Sequence, residues 1–599
     1  MPERGASASR EAFDWPLVVI CFVLLAGIAV LRAWLTAKST PLLDDTDDAM
    51  RLQTVRDLIA GQGWWDHVQH RLNAPFGAEI HWWHAIDAAI AGIILVLRPF
   101  AGTGAETLAL YLWPLLLLFL LLALSGRLAY ALGGREAMLP ALILPLVSPA
   151  VLTEFSPGRI DHHSIQILLT LLMAWATVET IARPRFAILA ALGATLSFAV
   201  GIEGLPSVAS AILGMALIWV AKPERAQAMR AFGLTFALGG IAVLVDQYPP
   251  ERWFEPACDE ISIVYTAFAV GVGAILVVLS WLPLGAARPW QRLALGGALA
   301  AGLALLLAKT FPLCLKGPYA ALDPWLVQNW LDHISEAKPV WQSFAAAPIF
   351  TLGVAAPPLL GLAVVAARVL WGGPQKRGEW LLLGLFLLFA VVVMCAQIRG
   401  ARLAMPLALP AAGWLVAMAR RRYLMGRRLS GALGMVASWL GFAGFVLGLI
   451  ATVATLPFDK AEAAAPANAA GNSDSCLMPE AFRTLAALPP ARVMTPVDLG
   501  SHVLVHTPHA VVAAPYHRDQ AGVRDAYRFF NDPLPEAHRM LLDRGVTLVA
   551  ICPAMPEVRG LPSATPDSFA RLYAEGRLPD WLVPVSPAGD VLKVFRVLP

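Results

Sequence analysis

Residues Leu42–Ile59 read LLDDTDDAMRLQTVRDLI, and they follow PLVVICFVLLAGIAVLRAWL (Pro16–Leu35), an apolar run long enough to cross a bilayer. Asp44, Asp45, Asp47 and Asp48 fall within five positions. Carboxylates this close repel one another and raise each other's pKa unless they share a cation or a proton. The plainer reading is a solvated acidic loop opening a helix, where aspartates suit the cap and the dipole. Two later stretches, RIDHH and HISE, tip the balance because they fall on the same side of the membrane.

The Pro16–Leu35 run is one of many. Of 599 residues, 58% are hydrophobic and 15% charged, with mean hydropathy +0.64. That excludes an ordinary soluble protein and implies a polytopic helical membrane protein. A net charge of +3 suggests no nucleic-acid partner. The opening MPERGASASREAFDW is polar and shows no cleavage site after a short apolar core, so the first run reads as a retained span. The six cysteines lack metal-type spacing.

Spans are expected near 16–36, 105–124, 137–152, 164–182, 186–201, 205–221, 231–246, 262–283, 290–309, 346–371, 379–396, 403–419 and 430–456, about thirteen in all. The apolar piece 85–100 is open to two readings, a span or a helix lying at the membrane surface, and the second is preferred because His81, Trp82, Trp83 and His84 precede it. With the N-terminus in the cytoplasm, the inner loops hold Arg127 and Arg135, Arg183 and Arg185, Lys222, Arg225 and Arg230, Arg288 and Arg292, Lys376 and Arg377. The last inner loop holds Arg420, Arg421, Arg422, Arg427 and Arg428. This agrees with the positive-inside rule and, for an odd number of spans, puts the C-terminus outside.

The fold class expected is therefore a mainly α membrane protein with a C-terminal extracytoplasmic α/β domain. Residues 1–456 form the polytopic part, with a large first outer loop at 37–104. Residues 457–475 read as a linker rich in Ala, Asn and Ser, and 476–599 as the outer domain. In that domain ARVMTPVDLG, HAVVAAPYHRD and VTLVAICP suggest strands, while PLPEAHRMLLDRG and PDSFARLYAEG suggest helices, the first capped by Gly545. Cys258 with Cys314, and Cys476 with Cys552, would lie in an oxidising compartment, where a bridge within either pair is open.

On the outer side this topology collects the acidic stretch, SPGRIDHHS (156–164), NWLDHISEAKPVW (329–341), QIRGARLAMP (397–406) and YHRD (516–519). Taken singly, each has an ordinary explanation. Asp161 suits a helix cap, Glu336 a loop carboxylate, His517 a surface position, and Arg399 and Arg402 snorkelling to headgroups. Taken together, Asp, Glu and His make a ligand set for a divalent cation, Mg²⁺ or Mn²⁺, with His favouring Mn²⁺. Arginines nearby suit a phosphate or pyrophosphate. A metal, a phosphate and a membrane point to a lipid-linked phosphate substrate.

These motifs resemble the catalytic subunit of oligosaccharyltransferase, in the C-type (GT-C) class of membrane glycosyltransferases, over nearly the whole chain. The resemblance implies transfer of a glycan from a polyprenyl phosphate or diphosphate carrier to an acceptor, with inversion at the anomeric carbon. It assigns the essential aspartate of the first outer loop to Asp47, nine residues before Arg56, with Asp48 as the fallback. The D-x-D or D-x-E motif becomes Asp161 with His163 in place of the second acid. HISEAKP gives Glu336, and QIRGARLAMP gives Arg402, then Arg399, as carrier-phosphate contacts. PYHRD offers His517 as a further ligand from the outer domain. The family's W-W-D-Y-G, which recognises the sequon Ser or Thr, is matched by TPVDLGSH. Asp498 and Gly500 remain on the acceptor side, while both tryptophans and the tyrosine are gone.

The resemblance and the residues together imply an inverting, metal-dependent glycosyltransferase in a bacterial inner membrane, with its C-terminal domain periplasmic. Its donor is a polyprenyl-phosphate-linked sugar, and its acceptor is a glycan, lipid or protein. A metal held by Asp47, Asp161, His163 and His517 would neutralise the carrier phosphate. Asp47 and Glu336 would orient or deprotonate the acceptor. Loss of the sequon motif raises an alternative, a monosaccharide transferase modifying a lipid or surface polysaccharide. A transporter or flippase is the rival from another class. Transporters place ionisable residues near the midplane and often carry repeats, whereas here those residues sit in outer loops and no repeat is evident. A non-catalytic scaffold is the third reading, kept open by His163.

Overall fold

The computed structural model describes residues 12–455, 474–561 and 563–599. Most of the expected linker, 457–473, lies outside the described residues. The first helix, Trp15–Thr36, opens with Asp14, whose carboxylate accepts from Leu17 N at 3.1 Å. Only Val18, Cys21, Leu25 and Ala29, a stripe at helical spacing, are buried. They pack on Ala105–Gly133, and the opposite face, with Ile20, Val23 and Leu31, is exposed, as expected of a helix facing lipid.

Among the described residues, nine helices are long and apolar enough to cross a membrane, or eleven if two sharply bent pairs each count as one span. The expected count of thirteen is thus not confirmed among the described residues. His163–Thr180 and Phe186–Val200 form as helices but fall short in apolar character or length. The first bent pair, Arg135–Val147 and Pro149–Phe155, turns by 81° at Ser148, where Pro149 removes a donor and fixes the new helix start. Its second arm carries Glu154 to the mouth of the bundle. The piece 85–100 is the helix His84–Ala101, packed on both its successor and Thr46–Ile59.

The two ends of the bundle carry different parts of the chain. At one end Arg135 pairs with Asp14 at 2.7 Å, Arg421 with Glu136 at 2.6 Å, and Lys376 donates to Ala131 O at 2.6 Å. These are residues read as inner-loop positions. At the other end the first loop meets the C-terminal part.

That part is α/β. Its sheet runs Ala510–Val511, Arg492–Met494, Leu548–Ile551, Lys593–Val597, Leu582–Pro584; the first three strands are parallel and the last two pair antiparallel. The three stretches expected as strands each supply one. The tail of the first departs from expectation, because VDLGSHVLVH coils into a short turn and the helix Gly500–His506. The helix Gln520–Asn531, unexpected from the sequence, buries Val523, Ala526, Phe529 and Phe530. Helices Leu534–Asp543 and Phe569–Ala574 are as expected, and Gly545 follows the first at φ +63°.

The first loop is stitched to this sheet through main chain. Val511 N donates to Arg71 O at 2.8 Å and Ala74 N to Val511 O at 3.0 Å. The Arg71 guanidinium reaches the carbonyls of Leu504, Thr507 and His509. Both open cysteine pairs are bridged, Cys258–Cys314 and Cys476–Cys552.

Candidate functional site

The helix Thr46–Ile59 begins with Asp45 as its cap, accepting from Asp47 N at 2.9 Å. A right-handed helix then sends Asp47 and Asp48 in different directions. Asp48 is fully buried, and one oxygen accepts from Ile160 N at 2.6 Å and Asp161 N at 2.9 Å. The other takes Arg159 Nη1 at 2.8 Å. Asp48 therefore pins the RIDHH loop to the first loop and has no free oxygen for chemistry; the fallback role gives way to a structural one.

Arg159 is the residue sequence reading passed over. Its guanidinium lies 2.8 Å from Asp45, 2.8 Å from Asp48, 3.2 Å from Glu154 and 2.7 Å from Asp161. The preceding Gly158 sits at φ +96° against Leu42 O, where a Cβ would collide, so only glycine lets the loop approach so closely. Part of the acidic crowding is thus relieved by an internal cation.

Asp47 is left out of that arrangement. Burial, then the neighbouring charges of Asp45 and Asp161, push its carboxyl up to about 7. Asp47, Asp161 and His163 each offer one ligand atom within 4.8 Å of the others. Asp161 also caps His163 N at 2.9 Å, so the capping and clustering readings hold together. Two carboxylates and an imidazole in one ion's reach fit a divalent metal. Glu203, also unforeseen, lies 3.4 Å from His163 Nδ1 and forms an overlapping set with His162 and His163.

Glu336, on the short turn Ser335–Ala337, meets Arg402 Nη2 at 2.6 Å and Arg399 Nη1 at 3.8 Å. Arg402 also lies 3.7 Å from Glu154, and its Nη1 is buried with no hydrogen-bond partner among the described residues. Arg399 is 3.4 Å from Glu203. Both arginines start a helix, Ala401–Gly426, at its junction with the turn Ile398–Gly400.

Asp47, His163, Glu336, Arg402 and Asp498 all line one cavity of about 1120 Å³. Its far wall comes from the α/β part: Asp498, Tyr527, Asn531 and Glu557. Asp498 N–H donates to Glu557 Oε1 at 3.4 Å. Burial first, then the charge of Asp45, raises the Asp498 carboxyl; burial and Asp498 push Glu557 up to about 7. Gly500 does not line the cavity. It lets its helix close on Ala513 O, where a Cβ would collide.

His517 is not brought to Asp47, Asp161 and His163. It meets Asp259 at 2.7 Å and forms a separate group with His81 and Asp259, beside a smaller cavity of about 640 Å³ that Asp47 and His163 also line.

No sequence-family description and no curated protein sequence matches the chain. Solved structures do. Archaeal oligosaccharyltransferase AglB from Archaeoglobus fulgidus, solved with an inhibitory peptide and a dolichol-phosphate, matches at TM-score 0.63 and 13% identity, over 96% of this chain and 74% of that one. The Archaeoglobus fulgidus enzyme with Zn and sulfate matches at 0.62 and 13%, over 97% and 73%. The same enzyme tethered to an acceptor peptide containing the NVT sequon matches at 0.59 and 14%, over 96% and 74%. The fold is that of the GT-C membrane glycosyltransferases. Within that class it is similar to the oligosaccharyltransferase form.

Proposed function

We propose that this chain is an inverting glycosyltransferase that moves a sugar or glycan from a polyprenyl phosphate or diphosphate carrier to an acceptor outside the cytoplasm. The observation that carries this reading is the single cavity in which Asp47, His163, Glu336 and Arg402 meet at the mouth of an apolar bundle. The fold and the dolichol-phosphate held by the similar AglB support the donor class.

Asp47, Asp161 and His163 would hold a divalent metal, Mn²⁺ or Mg²⁺, which would offset the charge on the leaving carrier phosphate. His517, grouped with other partners, is left out of that set. Arg402 offers the phosphate its unpartnered Nη1. Glu336, fixed by Arg402, orients the acceptor nucleophile and takes its proton. The acceptor oxygen or nitrogen then attacks the anomeric carbon from the face opposite the phosphate. The bond to the carrier oxygen breaks, and the anomeric centre inverts. Asp498 stands on the acceptor side, with Gly500 shaping its turn.

The setting is a bacterial inner membrane, with residues 1–456 embedded and 476–599 periplasmic. Basic residues at one end and two disulfides at the other support that orientation. An alkaline phosphatase fused after Pro457 is expected to be active; an inactive fusion reverses the topology. The reaction is tested with purified protein, a set of polyprenyl-phosphate-linked sugars and mixed acceptors. Release of sugar-free carrier that depends on both acceptor and metal supports the proposal. Carrier translocated across vesicles without cleavage would favour a flippase.

A further inference from the structure

His81, Asp259 and His517 come from three distant parts of the chain. His81 follows the short strand Ala78–Glu79. Asp259 follows Cys258, which is bridged to Cys314. His517 belongs to the α/β part. One ligand atom from each lies within 4.8 Å of the other two. The rings of His81 and His517 are 4.9 Å apart, and Tyr319 stands against His517 at 5.2 Å. Among the described residues the His81 ring has no hydrogen-bond partner and faces His517.

The surroundings resemble the support of a metal site. Arg518 makes two bonds to Asp259, at 2.8 and 2.9 Å, which fix the plane of that carboxylate. Arg518 also reaches Glu260 at 2.6 Å and Glu79 at 3.0 Å, and Arg252 reaches Glu79 at 2.6 Å. With Glu255 on Arg252 at 3.0 Å, four carboxylates thus share two guanidinium groups, and positive charge is short. The His81 and His517 rings meet edge to face, with His517 Nε2 on Asp259 at 2.7 Å, so one ligand atom of each lies within reach of a single ion.

We propose that His81, Asp259 and His517 bind a second divalent cation, of the zinc type, that fastens the α/β part to the first loop and to the loop after Gln247. Two imidazole nitrogens and one carboxylate oxygen form a borderline-soft set that prefers Zn²⁺. The Asp47 set, with two carboxylates, leans toward harder ions. The ion takes the place of the contact between His517 and Asp259, with both groups turned to it as ligands. The site holds whether or not the chain is a transferase.

The test uses full-length protein in detergent, stripped by chelator, reloaded with Zn²⁺ and assayed for metal by elemental analysis. The background is Asp47→Asn with Asp161→Asn, so that the first set is silent. About one zinc per chain is expected to remain there, and adding His81→Gln or His517→Ala removes it. Co²⁺ loading is expected to give visible absorption bands that the same changes abolish. His81→Gln is the deciding variant, because it keeps bulk and breaks no hydrogen bond within the protein. Chelation is expected to lower the melting temperature of the background but not of the His81→Gln variant. No zinc in the background, or equal zinc after His81→Gln, overturns the site.

Discussion

The two walls of the large cavity pair their charges differently. On the membrane side, Arg159 and Arg402 cross-brace acids from four separate segments. On the α/β side, Asp498 N–H donates to Glu557, and among the described residues no guanidinium pairs with either acid and Glu557 Oε2 is buried without a partner. The first wall is fixed in place, as groups that handle a reacting phosphate must be. On the proposed function, the first wall would carry the chemistry and the second the choice of acceptor, so that either can be perturbed without the other.

The largest effect falls on the braced wall. Asp47→Asn or Asp161→Asn is expected to take glycan transfer to background while the protein stays folded in the membrane. An amide cannot supply the charge that holds a cation. Excess chelator should do the same to the parent protein. Full transfer by both variants, or transfer undiminished in chelator, removes the metal from the mechanism.

Next comes Arg402→Lys. Lysine keeps the charge but cannot span Glu154, Glu336 and a phosphate at once. We expect kcat/KM for the lipid-linked donor to fall on the order of 10²-fold, with the acceptor KM little changed. A loss confined to the acceptor KM would assign Arg402 to the wrong wall.

The membrane-side wall is the more legible in sequence. Four aspartates in five positions stand out in an apolar chain, and Asp47, Asp161, His163, Glu336 and Arg402 do gather. Arg159, Glu154 and Glu203 do not announce themselves. Arg159 is one arginine in a loop, and its partners are Asp45, Asp48, Glu154 and Asp161; no spacing encodes such a meeting. Glu154 arrives through a bend of 81°, which hydropathy reads as a single span. His517 joins the metal set only by analogy, and what decides its partner is the bridge and loop that set Asp259 opposite it. The wall supplied by 476–599 is hardest to read, because short strands and turns carry weak periodicity, and Glu557 and Asn531 sit in stretches with no motif.

A smaller effect tests the unbraced wall. The Glu557 carboxyl is pushed from its ordinary 4.5 up to about 7, chiefly by burial and then by Asp498. The folded protein therefore binds more protons than the unfolded chain between those values, and this contribution to stability is lost as pH rises from 4.5 through about 7. Melting in detergent should show the parent losing a few degrees over that window, with Glu557→Gln flatter. Identical profiles would mean that the two acids are relieved by a cation or an acceptor group.

The smallest expected effect is none at all. In the stretch TPVDLGSH, Val497 and Leu499 stand where the oligosaccharyltransferase motif has an aromatic pair member and a tyrosine, and both are buried aliphatics in the core of the α/β part. Neither can hold a sequon hydroxyl. What the wall offers instead is Asp498, Glu557, Tyr527 and Asn531, mostly acceptors, which suit the many hydroxyls of a sugar. A site rejects an analogue strongly only when it was built to hydrogen-bond the missing group. Changing Ser or Thr to Ala in an Asn-x-Ser/Thr peptide should therefore alter transfer by less than about twofold, the size left when no dedicated partner is lost. Membrane glycolipids and polysaccharide fragments, offered beside the peptides to purified protein and lipid-linked sugar, should be the better acceptors. If only the sequon peptide is glycosylated, and the Ser/Thr→Ala peptide stops the reaction, then the second wall recognises a hydroxyl by a route outside TPVDLGSH, and the chain is a protein N-glycosylating enzyme despite its altered motif.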